Sequence, residues 1–388
     1  MENSKDAAAR SRLPEIQLVR ALLIIAVIMI HATSFATLQM KDSSLYPVYH
    51  FLNVSMAFAT PAFVFLSGFV LFYSYYTRPL NGALISTFYR KRITFVIIPY
   101  VLFSIIYFIL YYNAYTPTMP AEETFRSFLI KLATGKAYTH LYYVFIMAQM
   151  YVLFPILLMV FRRFSGLIKW AVPAALLIQL GFFIWNEEAL HITNLMSWAP
   201  SYATQYMLGA VLGIYYPQLR GWLHISREHA APKRIAGWLA ALLAWLCCLA
   251  AMLVILYDTR MNGTVYSPLM LNVLKMLYSV TSSVMLLLAA PFLYRLLPGK
   301  GLRVLDSIAA LSFGIYLLHP LLLFYYRKFP AEGGTSWHYH VWYAVGFGLA
   351  LGGTWLIVAA AARFLPGAAL LFGELPRKGK SGKSRIAG

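Results

Sequence analysis

Arg20-Ala-Leu-Leu-Ile-Ile-Ala-Val-Ile-Met-Ile-His31 decides the fold class of this chain. An apolar run separates a guanidinium from an imidazole. A helix that is hydrophobic all round belongs in a large core or in lipid. At about 100° per residue, eleven steps close roughly three turns, so Arg20 and His31 share one face about 16 Å apart. Ionisable side chains at membrane depth are costly, which makes both functional candidates. His31 has two readings: an imidazole matched to proton transfer near neutral pH, or one bonded to a neighbouring helix for packing. Arg20 is either a site residue or an anchor snorkelling to the headgroups.

The rest of the chain agrees with a membrane solvent. Of 388 residues, 61% are hydrophobic and 12% charged, and the mean hydropathy is +0.66. A soluble chain of this size needs far more polar surface. Apolar windows predict an all-α, polytopic membrane protein of about ten spanning helices, at 17–36, 50–74, 93–113, 139–161, 168–185, 199–216, 236–257, 268–294, 307–326 and 339–363. The basic start Met1–Arg12 is followed by a segment long enough to span and by no small-residue cleavage pattern, which predicts an uncleaved first helix. The longest connection, 114–138, is too short to hold a soluble domain. This divides the chain into a basic N-terminus (1–16), a ten-helix domain (17–363) and a basic tail (364–388).

Lys and Arg set the orientation. With the N-terminus cytoplasmic, inside segments hold 23 of them and outside segments seven: Lys41, Arg126, Lys131, Lys136, Arg260, Arg327 and Lys328. Arg20 and Lys275 fall within spans. Both termini are then cytoplasmic, and the net charge of +19 reads as orientation and contact with anionic lipid, not nucleic-acid binding. Acidic residues such as Glu122, Glu123, Glu187, Glu188, Asp258 and Glu332 fall in outside loops, and none lies mid-span. Coupled transporters usually keep an intramembrane carboxylate. Cys247 and Cys248 are adjacent, point apart on a helix, and predict neither a disulfide nor a metal site.

His319 stands at nearly the depth of His31, in Leu311-Ser312-Phe313-Gly314-Ile315-Tyr316-Leu317-Leu318-His319-Pro320. Ser312, Tyr316 and His319 share a face, so two histidines on different helices point to one polar cavity. Without a nearby carboxylate or thiolate, they predict no metal. Ser67-Gly68 in helix 2 reads as close packing through small residues, or Ser67 as a supporting hydroxyl. Asn53, near the outer end of helix 2, is placed to touch an external substrate. Gln149 is a buried amide that needs partners. Arg90-Lys91-Arg92, at the expected start of helix 3, is a topology signal or a grip on a phosphate-rich cofactor. His50, His140, His191, His338 and His340 read as loop or interfacial residues near the outer surface, with carbohydrate or headgroup contact open to some.

Together these residues resemble a family. Glu15-Ile-Gln-Leu-Val-Arg20 running to His31 is similar to the first-helix signature of the integral-membrane acyltransferase-3 family, a cation, ten residues, then histidine. Phe65-Leu66-Ser67-Gly68-Phe69, Arg92 through Pro99-Tyr100, and Ser312 through His319 resemble its later motifs, in order. Gln17 stands where many members carry aspartate, and Leu141-Tyr142-Tyr143 replaces a common Leu-Trp-Phe. The resemblance implies transfer of an acetyl or succinyl-like group from cytoplasmic acyl-CoA to a hydroxyl of an extracytoplasmic glycan or lipid-linked sugar, as in exopolysaccharide-modifying members like the intercellular-adhesin succinyltransferases. It maps the essential histidine onto His31 and the essential cation onto Arg20. Acyl-CoA contacts then fall to Arg20, Arg90, Lys91 and Arg92, and acceptor or supporting contacts to Asn53, Ser67, Gln149, Tyr316 and His319. A glycan transporter or flippase is the alternative, and a catalytically dead scaffold a third.

Overall fold

The computed structural model describes residues 13–115, 120–223, 232–331 and 336–376. The basic start Met1–Arg12, Arg227, Glu332 and the tail beyond 376 lie outside the described residues. Those described are helical, with no strand among them. In chain order the main helices are α1 Pro14–Thr33, α2 Tyr46–Ser55, α3 Ala59–Tyr75, α4 Gly82–Arg92, α5 Ile98–Tyr115, α6 Ala121–Ala133, α7 Tyr142–Arg163 and α8 Ile168–Trp185. They continue with α9 Ala203–Leu223, α10 Pro232–Asn262, α11 Pro268–Leu296, α12 Gly299–Tyr326, α13 Ser336–Gly348, α14 Thr354–Phe364 and α15 Ala368–Phe372.

Nine helical segments among the described residues are long and apolar enough to cross a membrane, so the chain is a multi-pass membrane protein. The expected segment at 199–216 is helical as α9, 21 residues long, but is not among these nine. Thr204, Gln205, Tyr206, Tyr216 and Gln218 dilute its apolar character. It is held instead by close packing on α3. A Cβ on Gly68 would meet the Tyr206 carbonyl, and Cβ atoms on Gly209 and Gly213 would meet the carbonyls of Phe65 and Phe69. Small residues four apart let two helix backbones approach this closely. The packing reading of Ser67-Gly68 therefore holds for Gly68.

Arg90-Lys91-Arg92 does not open a helix. These residues form the last turn of α4, which runs through a π-helical segment, Ile93–Ile97, into α5. No breaker interrupts the chain before Pro99, and that proline removes one N–H and crowds the preceding turn, a common origin of such a bulge. The connection expected at 114–138 contains α6, an amphipathic helix whose apolar stripe runs through Phe125, Phe128, Leu129 and Leu132.

The core is built around α1. Val27 and Ile28 of α1, Ile315 and Leu317 of α12, Tyr107 of α5, Leu141 and Val144 at the start of α7, and Phe372 of α15 are buried in one cluster. The segment after α14 turns back, and α15 packs against α5, α12 and the π-helical segment. Gly373 makes that return possible. Its φ is +81°, and a Cβ there would meet the Phe313 ring and the Phe95 carbonyl.

Candidate active site

Three imidazoles from three parts of the chain meet in this core. The His31 and His319 ring centroids are 5.1 Å apart, and His140 lies 5.6 Å from His319. His319 is fully buried and His140 is 1% exposed, whereas His31 is only half-buried and forms the open side of the group. The Nδ1 of His319 is 3.2 Å from the Ile315 carbonyl. A carbonyl only accepts, so Nδ1 carries the hydrogen and Nε2 of the neutral ring is left as an acceptor. That Nε2, and both ring nitrogens of His140, are buried without a hydrogen-bond partner among the described residues. Unpaired buried polar atoms are unusual in a finished core and mark a place where something else supplies the bond.

His140 does not sit in an outer loop or at the interface, as its position in the sequence suggests. Lys136 to Leu141 turns inward ahead of α7 and buries the ring between Tyr107, at 5.0 Å, and Tyr316, at 5.1 Å. Tyr316 donates its hydroxyl to the His140 carbonyl.

Two braces fix α1 beside His31. Arg327, just past α12, donates to the His31 carbonyl at 2.5 Å, and its guanidinium lies 4.0 Å from the centre of the Phe35 ring. The Asn53 amide donates to the Ile30 carbonyl and to Thr33 Oγ1, both at 3.2 Å, while its oxygen accepts from Arg260 at 2.7 Å. His50 Nδ1 accepts from the same guanidinium at 3.2 Å, and its Nε2–H donates to the Leu253 carbonyl at 2.9 Å.

Three turns away on α1, Arg20 faces a second polar group. Tyr143, Tyr151, Arg92 and Glu374 lie within electrostatic range of its guanidinium. Arg92 stacks over Tyr151 at 4.8 Å and Phe88 at 5.2 Å. Tyr206 faces Tyr151 and Arg92, and the Tyr143 hydroxyl faces Ser67. Arg92 Nε and the Tyr206 hydroxyl are buried without a partner among the described residues. Two cations, one of them with an open buried donor, and one exposed carboxylate make a site suited to an anion. Tyr143 links the two ends, since its ring is also 5.5 Å from Tyr316.

Of the residues singled out in the sequence, the structure brings His31, His319 and Tyr316 together at one end, and Arg20, Arg92 and Ser67 at the other. Arg90 and Lys91 are exposed and turn away from Arg92. Gln149 spends its amide on the loop before α9, donating to Ser197 O at 3.0 Å and accepting from Ala199 N at 3.0 Å. His140 and Arg327 are expected from sequence at the outer surface, and Tyr151, Tyr206 and Glu374 are not singled out there. The aromatic run Tyr138 to Tyr143 around His140 was the one available signal. No group of His, Cys, Asp and Glu among the described residues is arranged to hold a metal.

The profile of the acyltransferase domain family aligns with residues 13–359, which takes in both ends of the site. The chain belongs to the acyltransferase-3 family. Among curated proteins it is similar to the "Probable poly-beta-1,6-N-acetyl-D-glucosamine export protein" of Staphylococcus aureus strain MSSA476, 23% identical over 323 residues, 80% of this chain and 82% of that one. The proteins of the same name from strains MRSA252 and Mu50 are also 23% identical, with the same coverage. No solved structure matches.

Proposed function

We propose that this chain is a bacterial plasma-membrane O-acyltransferase, with ten spanning helices, α9 included, and both termini cytoplasmic. It takes an acetyl or succinyl-like group from cytoplasmic acyl-CoA and places it on a hydroxyl of an extracytoplasmic glycan or lipid-linked sugar. The observation that carries this reading is the pair of sites on one face of α1. A cationic site at Arg20 and Arg92 and an imidazole site at His31 and His319 are bridged by Tyr143.

The cationic end suits the phosphates of the donor, with Arg20 and Arg92 as its inner contacts and Arg90 and Lys91 at the entrance. His31 takes the proton of the acceptor hydroxyl as general base. The alkoxide oxygen attacks the thioester carbonyl, the C–S bond breaks, and the CoA thiolate recovers the proton from His31. In the variant of this route His31 itself carries the acyl group for one step. His319, with a bare Nε2, and Tyr316 orient the acceptor. Asn53 and Gln149 support the site from its edges, and Ser67 holds Tyr143.

The printed names of the curated relatives favour a second reading, glycan export. Calorimetric titration of the purified protein with acetyl-CoA and succinyl-CoA separates the two. Saturable binding of one donor, weakened by Arg92→Gln, is the expected result. No binding of either points to transport.

A further inference from the structure

Helix α5 has two working faces. Phe103 and Tyr107 point into the core, and Tyr107 donates to the Leu317 carbonyl at 2.7 Å beside His140. On the other face Ile105, Phe108, Ile109 and Tyr112 meet Thr124, Phe125 and Phe128 of α6, and between them lies a groove of about 520 Å³. That volume is in the range of ligand pockets. Its walls are mostly apolar. An amphipathic helix such as α6, with Phe125, Leu129 and Ile130 exposed, lies along a membrane surface and not across it.

A cation is fixed at the rim. The Lys131 ammonium lies 4.8 Å from the centre of the Tyr111 ring and 5.4 Å from that of Phe108, which is itself a wall of the groove. Among the described residues no carboxylate pairs with Lys131. Glu122 and Glu123 are at the opposite end of α6, roughly two turns away. A hydrocarbon groove ending in an unneutralised, aromatic-seated ammonium is complementary to a long chain ending in phosphate.

The rim is also wired to the imidazoles. Tyr100 donates to the Leu132 carbonyl at 2.5 Å, and Leu132 packs on the core cluster of Val27, Ile28 and Ile315. His140 follows Lys131 by nine positions along the chain.

We propose that the α5–α6 groove holds the hydrocarbon chain of a lipid phosphate that carries the acceptor sugar, with the phosphate on Lys131. This rests on the acyltransferase reading and on its orientation, which puts the groove in the outer half of the membrane.

Native mass spectrometry of the full chain in phosphatidylcholine nanodiscs tests it, with long-chain polyprenyl phosphate as probe and phosphatidylglycerol and polyprenol as competitors. The wild type retains polyprenyl phosphate over both competitors. Ile109→Trp, which fills the groove, and Lys131→Glu each reduce retention about tenfold or more. Val152→Trp, on a lipid-facing surface of α7 that is 61% exposed at that position, does not. His31→Ala retains the lipid too, which separates this site from the chemistry. Equal retention by both groove variants overturns the proposal, as does displacement by phosphatidylglycerol or by polyprenol at equal concentration. Transfer to a soluble glycan with no lipid retained would remove the groove while leaving the acyltransferase reading intact.

Discussion

The ring of His31 lies 5.1 Å from that of His319, two imidazoles from α1 and α12 at one depth in the core. Of the two, only His31 is less than fully buried. The proposed mechanism therefore gives access to His31 and support to His319. Replacing His319 with Gln keeps a polar group of similar size, and the expected loss in transfer rate is about tenfold, well short of the 10²–10⁴-fold that a general base supplies. Steady-state kinetics of the variant beside His31→Gln measures the difference between the two roles.

Arg327 holds the backbone at His31. Arg327→Ala removes a charge-assisted hydrogen bond and the stacking on Phe35, and is expected to cost about 2 kcal/mol of stability together with most of the transfer activity. Arg327→Lys restores the charge but not the fork geometry, so only partial recovery follows. Thermal unfolding in detergent and the transfer assay read the two effects separately.

At the cationic end the exposed and inward residues are expected to behave differently. Arg20→Gln and Arg92→Gln raise the KM for acyl-CoA by about tenfold or more, since each removes a charge-assisted contact of about 1.5–3 kcal/mol. Arg90→Gln and Lys91→Gln, both solvent-facing, change KM by less than about threefold and mainly through screened attraction. Titration of KM against salt shows which cations act at long range.

Gly209→Val forces a branched side chain into the Phe65 carbonyl across the α3–α9 contact. Overpacking at a backbone contact cannot be relieved by a rotamer change, so destabilisation of about 3 kcal/mol is expected. Gly221→Ala, inside α9 where a Cβ meets open space, is the control and leaves the melting temperature unchanged or slightly raised.

The helical architecture and one half of the site were legible because they are written in local period. Arg20 and His31 share a face by helix geometry alone, and Ser312, Tyr316 and His319 do the same on α12. His140 was not legible, because its depth is set by tertiary contacts. Gly135, with φ +71° and no room for a Cβ beside Phe145, turns the chain inward after α6. Arg327 looks in sequence like any cation at a helix end, and only the bundle brings it to the His31 carbonyl. Glu374 reaches Arg20 through a return of the chain that depends on positive φ at Gly367 and Gly373. The joining of α4 to α5 was hidden because a cluster of three cations ahead of an apolar run looks like a helix start.

The central claim is that His31 handles the proton, or the acyl group, in transfer from an inside donor to an outside hydroxyl. Its most direct test is acyl transfer in proteoliposomes, with labelled acetyl-CoA or succinyl-CoA on the Arg20 side and the glycan acceptor on the other. His31→Ala is expected to lose at least about 10²-fold in acylated glycan while still binding the donor at Arg20 and Arg92. Acylated product at the wild-type rate from that variant would contradict the account.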